Sequence, residues 1–219
     1  MGISLLKYLT PFLQPLYRQY FSKERTFSYG SINIVVYPGV FYPGFIFSTK
    51  ILLRYIDRLD LKGKMVLDLG SGSGIIALMA SCKGANVIAS DINPLSVKNV
   101  IENARQNNLE VQSIESDLFH TVPRIHYDYI FTNPPYFQKD PANTAEMAWY
   151  CGKNHEYFEN FFRQLKEYSD ESCKVLMILS ESCNIRVIND IGAKRGFNLS
   201  LVEKKRKMGE WYFIFKIHK

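Results

Sequence analysis

The sequence is poor in cysteine and has no long apolar run. Its four cysteines are Cys82, Cys151, Cys173 and Cys183. They form no C-x-x-C pair and show no metal-ligand spacing with histidine, so neither a disulfide framework nor a metal site is predicted. No apolar stretch reaches the length of a membrane span, and two prolines interrupt the partly apolar start of the chain. These absences predict a cytoplasmic protein without a metal ion or a membrane partner.

Composition is that of an ordinary globular chain with a basic balance. Of the 219 residues, 47% are hydrophobic, 14% aromatic and 22% charged, and the net charge is +6, which suits one domain with a single core. A basic excess fits a polyanionic partner such as RNA or DNA, although an ordinary basic surface explains it as well. The compact run Lys204–Lys207 leaves the same two interpretations open.

Apolar runs and amphipathic segments alternate after Gly63. Short strands are predicted near residues 65–69, 86–89, 111–114, 127–132 and 175–179, with helices near 74–82, 95–106, 155–168 and 185–195. Before them, residues 27–36 are predicted to form a strand or hairpin and residues 37–44 a loop, and His155 is expected to begin an exposed helix. This alternation predicts an α/β fold of the doubly wound, Rossmann-like kind. Its sheet is mostly parallel, with an antiparallel C-terminal edge strand from the last two runs. Residues 46–219 would form this domain, and residues 1–45 a helix and strand extension.

A glycine-rich loop follows the first predicted strand. The pattern is D-x-G-x-G-x-G, formed by Asp68, Gly70, Gly72 and Gly74. Glycines let the backbone approach a ligand closely, and a nucleotide-type ligand binds at this end of such a sheet. A dinucleotide fingerprint would need glycine at position 75, which is Ile. An acid at Asp68 suits the amino group of a methionine moiety, so the loop favours S-adenosylmethionine over NAD.

Two further acids follow the next two strands. Asp91 ends the second strand and is placed to accept hydrogen bonds from ribose hydroxyls. Asp117, after the third, could accept from an adenine amino group or could be a surface or capping residue. The predicted cofactor site also includes their neighbours Ile92 and Leu118.

The tetrapeptide Asn133-Pro134-Pro135-Tyr136 follows the fourth strand. Two prolines end the strand, and the corner presents the Asn133 side-chain oxygen and the Pro134 carbonyl as acceptors. Two acceptors could hold the N–H bonds of a planar NH2 group and favour the positive charge that develops on its nitrogen. Tyr136 can stack on a flat substrate. Asn133, Pro134 and Tyr136 are therefore the predicted catalytic residues, and Asn133 also belongs to the predicted cofactor site.

With these motifs, residues 38–217 resemble the class I methyltransferases of the "small domain" group. Among them, the chain is similar to the release-factor glutamine N5-methyltransferases and to adenine-N6 methyltransferases. The segment Glu146–Lys153 followed by Tyr157-Phe158 resembles the glutamine enzymes, and the resemblance places Thr49 near the cofactor. The chain departs from them in having only about 40 residues before its Pro-Gly loop, and in Tyr42–Thr49, which replaces a Pro-Arg-Pro-Glu-Thr-like stretch.

The resemblance implies transfer of a methyl group from S-adenosylmethionine to a macromolecule of the translation apparatus. Protein glutamine and the adenine of RNA or DNA remain level as acceptors, because the charge leans to nucleic acid and the segment after the tetrapeptide leans to glutamine. An NAD-dependent oxidoreductase and a non-catalytic nucleic-acid-binding module are the alternatives from other classes.

Overall fold

The computed structural model describes residues 22–44 and 47–219. The helix predicted near the amino terminus falls on residues 1–21, outside the described residues. Residues 25–36 form an antiparallel hairpin of β1 (Arg25–Tyr29) and β2 (Ile32–Val36), as predicted. The loop predicted around Pro38-Gly39 follows it.

Seven further strands form one sheet. They are β3 (Met65–Leu69), β4 (Asn86–Asp91), β5 (Gln112–Glu115), β6 (Tyr129–Thr132), β7 (Lys174–Ser180), β8 (Asn198–Lys207) and β9 (Glu210–His218). Their order is β5-β4-β3-β6-β7-β9-β8, and β9 runs antiparallel to both neighbours. The predicted, mostly parallel sheet with an antiparallel C-terminal pair is confirmed. Its antiparallel member, β9, lies one place in from the edge, because the chain first forms the edge strand β8 and then turns back to place β9 between β8 and β7.

Helices cover both faces of this sheet. They are α1 (Phe47–Asp57), α2 (Ile75–Cys82), α3 (Pro94–Gln106), α4 (Thr144–Met147), α5 (Glu156–Leu165) and α6 (Ile185–Lys194). Apolar side chains of α1, α2 and α3 share one core with β1 and β2, and those of α5 and α6 fill a second core on the opposite face. The doubly wound α/β class is therefore confirmed.

The short helix α4 and the burial of His155 differ from expectation. Asn143 caps α4 by accepting from the Glu146 amide N–H at 3.1 Å, and a single turn leaves no apolar periodicity to detect. The exposure expected for His155 is wrong, since the residue is only 6% exposed. It precedes α5 in a left-handed conformation, at φ 63, which turns its ring toward Phe158.

Three asparagines one helical turn apart hold the hairpin on α3. Asn99, Asn103 and Asn107 accept from the backbone N–H groups of Tyr37, Val35 and Asn33, at 3.2, 2.9 and 3.0 Å. Spacing of four residues places them on one face of the helix. The described part of residues 1–45 is thus packed against the predicted 46–219 domain. The division at that boundary stays a prediction.

Within residues 22–44 and 47–219, no helix is long and apolar enough to cross a membrane. The same residues contain no group of three or more side chains arranged to hold a metal ion.

Candidate active site

A cleft of about 1840 Å³ lies at the carboxyl ends of the parallel strands. Its walls are the loops that follow β3, β4, β5 and β6, with residues 38–44, the start of α1 and the turn between β8 and β9. Ligands of open α/β sheets bind at this end, where loops from neighbouring strands diverge. The cleft is therefore the candidate active site.

The glycine loop forms one wall of the cleft. Backbone N–H groups of Gly70 and Ser71 both donate to the Ser90 carbonyl at 2.9 Å, which fixes the loop against β4. Gly70 has φ +76, and nothing lies within 4 Å of where its Cβ would be. A side chain there would be strained and would project into the cleft. The loop backbone thus leaves room for a ligand.

The third glycine of the motif has a different surrounding. A Cβ on Gly74 would lie 2.8 Å from Val100 Cγ2, so glycine here allows α2 and α3 to pack closely. Gly74 is buried and does not line the cleft. Its predicted contact with the cofactor stays a prediction.

Asp91 lies at the end of β4 and lines the cleft. Its Oδ2 accepts from the Gly72 amide N–H at 2.7 Å, and its Oδ1 from that of Asn93 at 2.9 Å. The Ser96 hydroxyl and the Ile92 amide N–H also donate to this carboxylate, so several donors hold it at the wall of the cleft. Burial raises the pKa of this carboxyl group, and the backbone N–H donors act against that shift.

Asp68 lies behind the wall of the cleft. Its side chain is 1% exposed, and its Oδ2 accepts from the Ala77 amide N–H at 3.0 Å, in the first turn of α2. Burial raises the pKa of Asp68 to about 7, and the charge of Asp91 acts in the same direction. Asp68 therefore supports the helix start behind the glycine loop, and its predicted contact with a methionine amino group stays a prediction.

The tetrapeptide forms the opposite wall. The Asn133 Nδ2 donates to Thr49 Oγ1 at 3.2 Å, and the Tyr136 hydroxyl donates to Asn133 Oδ1 at 2.9 Å. The Tyr136 hydroxyl also lies 3.3 Å from the Ile178 carbonyl oxygen. The Asn133 amide nitrogen thus faces Thr49, and its oxygen faces Tyr136. Burial raises the pKa of Tyr136 well above its usual value, so its hydroxyl group stays protonated.

The wall residues suit a ligand rich in hydroxyl and amino groups. The hydroxyls of Ser71 and Ser90 are buried and have no hydrogen-bond partner within the described part of the chain. Both residues line the cleft beside Asp91. Buried polar groups are normally hydrogen-bonded. Together with the open space over Gly70, this donor and acceptor set fits the ribose and amino acid parts of S-adenosylmethionine.

The cleft brings together most of the residues predicted from the sequence. All except Asp68 and Gly74 line it, namely Thr49, Gly70, Gly72, Asp91, Ile92, Asp117, Leu118, Asn133, Pro134 and Tyr136. It also includes Phe41, whose ring lies 5.3 Å from that of Trp149, and a group of Ser182, Glu210 and Tyr212. These were not predicted. An acid directly after the Met208-Gly209 turn was the available signal for Glu210.

Comparison with known proteins agrees with this geometry. The family described as methyltransferase small domain matches residues 31–151. A protein of Methanocaldococcus jannaschii assigned as a protein N5-glutamine methyltransferase is 33% identical over 157 residues, 69% of this chain and 77% of the relative. The release factor glutamine methyltransferase of Fusobacterium nucleatum is 38% identical over 44% of this chain, which spans 29% of that enzyme.

Solved structures show the same fold. The Mtq2–Trm112 complex of E. cuniculi, responsible for methylation of the eRF1 translation termination factor, matches with a TM-score of 0.63 and 20% identity. The match covers 83% of this chain and 99% of that one. The ribosomal protein L11 methylase of Lactobacillus delbrueckii matches with a TM-score of 0.62 and 23% identity, over 82% of each chain. The chain belongs to the methyltransferase small domain family and is an S-adenosylmethionine-dependent methyltransferase.

Proposed function

We propose that this enzyme methylates a planar NH2 nitrogen of a macromolecule of the translation apparatus, and that the acceptor is the side-chain amide of a protein glutamine. S-adenosylmethionine supplies an electrophilic methyl group on a sulfonium centre. Asp91, Gly70, Gly72 and Thr49 would hold it, together with Ile92, Asp117 and Leu118. A translation-apparatus acceptor would place the protein in the cytoplasm.

The placement of Asn133 carries this proposal. Its amide nitrogen faces Thr49, its oxygen faces Tyr136, and the residue lines the cleft. A carbonyl oxygen has two lone pairs, and the Tyr136 hydroxyl uses one. The second can accept an N–H bond from a substrate NH2 group.

The chemistry of an amide nitrogen calls for such acceptors. Its lone pair is delocalised into the carbonyl group, which makes it a poor nucleophile. Asn133 Oδ1 and the Pro134 carbonyl oxygen would each accept one N–H bond, orient the nitrogen and favour the positive charge that forms on it. The planar Tyr136 ring, which lines the cleft, would exclude water from the flat face of the group.

Two relatives favour glutamine as the acceptor. The M. jannaschii relative, which is similar over most of its length, is assigned to protein glutamine, and the F. nucleatum relative acts on release factors.

A base of RNA is the second candidate acceptor. The run Lys204–Lys207 lies on the exposed strand β8, and Lys207 also lines the cleft. Lys204 and Arg206 lie over the Trp211 ring, 5.5 and 5.8 Å from its centroid. A basic strand that leads to the cleft could follow a phosphate backbone.

Labelled S-adenosylmethionine and fractionated cell extract would test the proposal. We expect label in a protein fraction that resists ribonuclease and is lost on protease treatment. Acid hydrolysis should then release the label as methylamine, because it cleaves the methylated side-chain amide, whereas complete enzymatic digestion should release N-methylglutamine. Label that is released by ribonuclease would favour the RNA base instead.

A matched pair of variants would exclude contaminating activity. Asn133→Ala should lower the labelling rate by on the order of a hundredfold or more. Asn198→Ala changes the same residue type at an exposed position at the start of β8, outside the residues that line the cleft, and should label as wild type does. Equal labelling by wild type and Asn133→Ala would contradict the proposed role of the tetrapeptide.

A further inference from the structure

Glu210 is a buried acid on the acceptor side of the cleft. It is the first residue of β9 and is 8% exposed. Its Oε1 accepts from the Ser182 hydroxyl at 2.8 Å, and its Oε2 from the Tyr212 hydroxyl at 2.7 Å. All three residues line the cleft. They form a compact polar group that the methyl transfer described above does not use.

No positive group of the described chain neutralises this carboxylate. Within residues 22–44 and 47–219, Glu210 has no ion pair within 4.0 Å, although other acids of the chain do. Lys207 is its partner in strand register, and its side chain is exposed. Burial of an unpaired charge is costly, and hydroxyl donors compensate only part of that cost. A buried carboxylate that lines a cleft and has acceptor positions open is a candidate for binding a cationic group.

The polar group lies beside the proposed transfer centre. The Tyr136 hydroxyl lies 3.3 Å from the carbonyl oxygen of Ile178, which is two residues before Ser180, the partner of Tyr212 in strand register. Tyr136 in turn is hydrogen-bonded to Asn133. A ligand bound by Glu210 would therefore occupy the part of the cleft next to the nitrogen that receives the methyl group.

We propose that Glu210, Ser182 and Tyr212 form a subsite that binds a positively charged side chain of the acceptor, adjacent to the methylated glutamine. The subsite rests on the peptide acceptor proposed above. Two hydroxyl donors leave about two acceptor positions on the carboxylate. A guanidinium or ammonium group would fill them and neutralise the charge. The subsite makes the enzyme selective for glutamine next to arginine or lysine.

Peptide methylation would test this selectivity. A set of glutamine peptides would carry either arginine or its neutral analogue citrulline at each position that flanks the glutamine. For at least one position, we expect wild-type kcat/KM to be about tenfold higher with arginine, as one charged hydrogen bond would give. Glu210→Gln should remove this preference and leave the citrulline peptides unaffected.

Control variants distinguish a loss of cation binding at the subsite from a general loss of folding. Tyr212→Phe keeps the ring and removes one hydroxyl donor, and it should alter the preference without loss of S-adenosylmethionine binding. Glu171→Gln makes the same charge change at an exposed residue before β7 and should behave as wild type. If Glu210→Gln keeps the wild-type preference for arginine, or if wild type shows no such preference, the proposed subsite is wrong. Glu210 then only links β9 to residues 180–182 through its hydrogen bond with Ser182.

Binding of a small guanidinium compound gives a readout that needs no methyl transfer. Agmatine, titrated into the full chain and followed by NMR, should perturb signals of Ser182 and Tyr212 in wild type and in Glu171→Gln. Glu210→Gln should weaken this binding about tenfold. If no glutamine peptide is methylated while agmatine binds as expected, the peptide acceptor is wrong and the cation subsite stands. Equal agmatine binding by wild type and Glu210→Gln would overturn the subsite.

Discussion

The two halves of the cleft are built in different ways. The cofactor half is formed by the loops that follow β3, β4 and β5, and the acceptor half by the tetrapeptide Asn133–Tyr136 with Ser182, Glu210 and Tyr212. On the cofactor half, backbone groups do most of the work, since N–H groups of Gly70 and Ser71 bind the Ser90 carbonyl and that of Gly72 binds Asp91. On the acceptor half, side chains bind side chains, as in the pair Tyr136 and Asn133. Because the first half is proposed to bind the cofactor and the second the methyl acceptor, a substitution on the cofactor half should change cofactor affinity. A substitution on the acceptor half should change the rate of methyl transfer or the choice of substrate.

The largest expected effect concerns stability on the cofactor half. Burial raises the pKa of Asp68 from 3.8 to about 7, so the native state keeps a proton that the unfolded state loses between these values. The contribution of Asp68 to stability is then fully present below about pH 4 and is lost as pH rises to about 7, a change on the order of 4 kcal/mol. Asp68→Asn should remove this dependence. Urea unfolding of both proteins at several pH values would measure it, and parallel pH profiles would contradict the burial argument.

Asn133→Ala should have the next largest effect and should act on the acceptor half alone. The asparagine oxygen is proposed to stabilise charge that develops only in the transition state. Loss of such a contact lowers kcat by on the order of a hundredfold or more. Single-turnover transfer would show the loss, and calorimetric titration should find S-adenosylmethionine affinity nearly unchanged. A large loss of S-adenosylmethionine affinity in Asn133→Ala would contradict the separation of the cleft into a cofactor half and an acceptor half.

Asp91→Ala should show the opposite pattern. The substitution removes the acceptor of Gly72 and Asn93 N–H groups and of the proposed ribose contact. We expect S-adenosylmethionine binding to weaken by about 1–3 kcal/mol. The rate at saturating cofactor should fall much less. A folded variant with wild-type affinity would remove Asp91 from the cofactor site.

Tyr136→Phe should have the smallest effect of this series. It removes the hydrogen bond that orients Asn133 and keeps the aromatic ring. The expected loss is about tenfold in kcat, the value of one hydrogen bond. A combined Asn133→Ala and Tyr136→Phe variant should be no slower than Asn133→Ala, because the tyrosine hydroxyl acts through the asparagine. If the two substitutions lower kcat additively, the Tyr136 hydroxyl acts independently of Asn133.

The same contrast explains what the sequence could predict. The cofactor half comes from nearby segments between Asp68 and Leu118, where strand, glycine loop and acid follow one another at short spacing, so its residues were predictable. The acceptor half combines Ser182 and Glu210 with the tetrapeptide. Glu210 reaches this part of the cleft because β9 inserts between β7 and β8. No local sequence pattern predicts that β9 lies between β7 and β8. The placement of Gly74 against Val100 also depends on helix packing that spacing cannot reveal.

Locating the methyl group on a defined acceptor tests the central claim most directly. A purified release factor would be incubated with S-adenosylmethionine and either wild type or Asn133→Ala, and then mapped by mass spectrometry. We predict one methyl group on the side-chain nitrogen of a single glutamine with wild type, and none with Asn133→Ala despite bound cofactor. Methylation at oxygen, sulfur or a basic nitrogen, or equal methylation by both proteins, would contradict it.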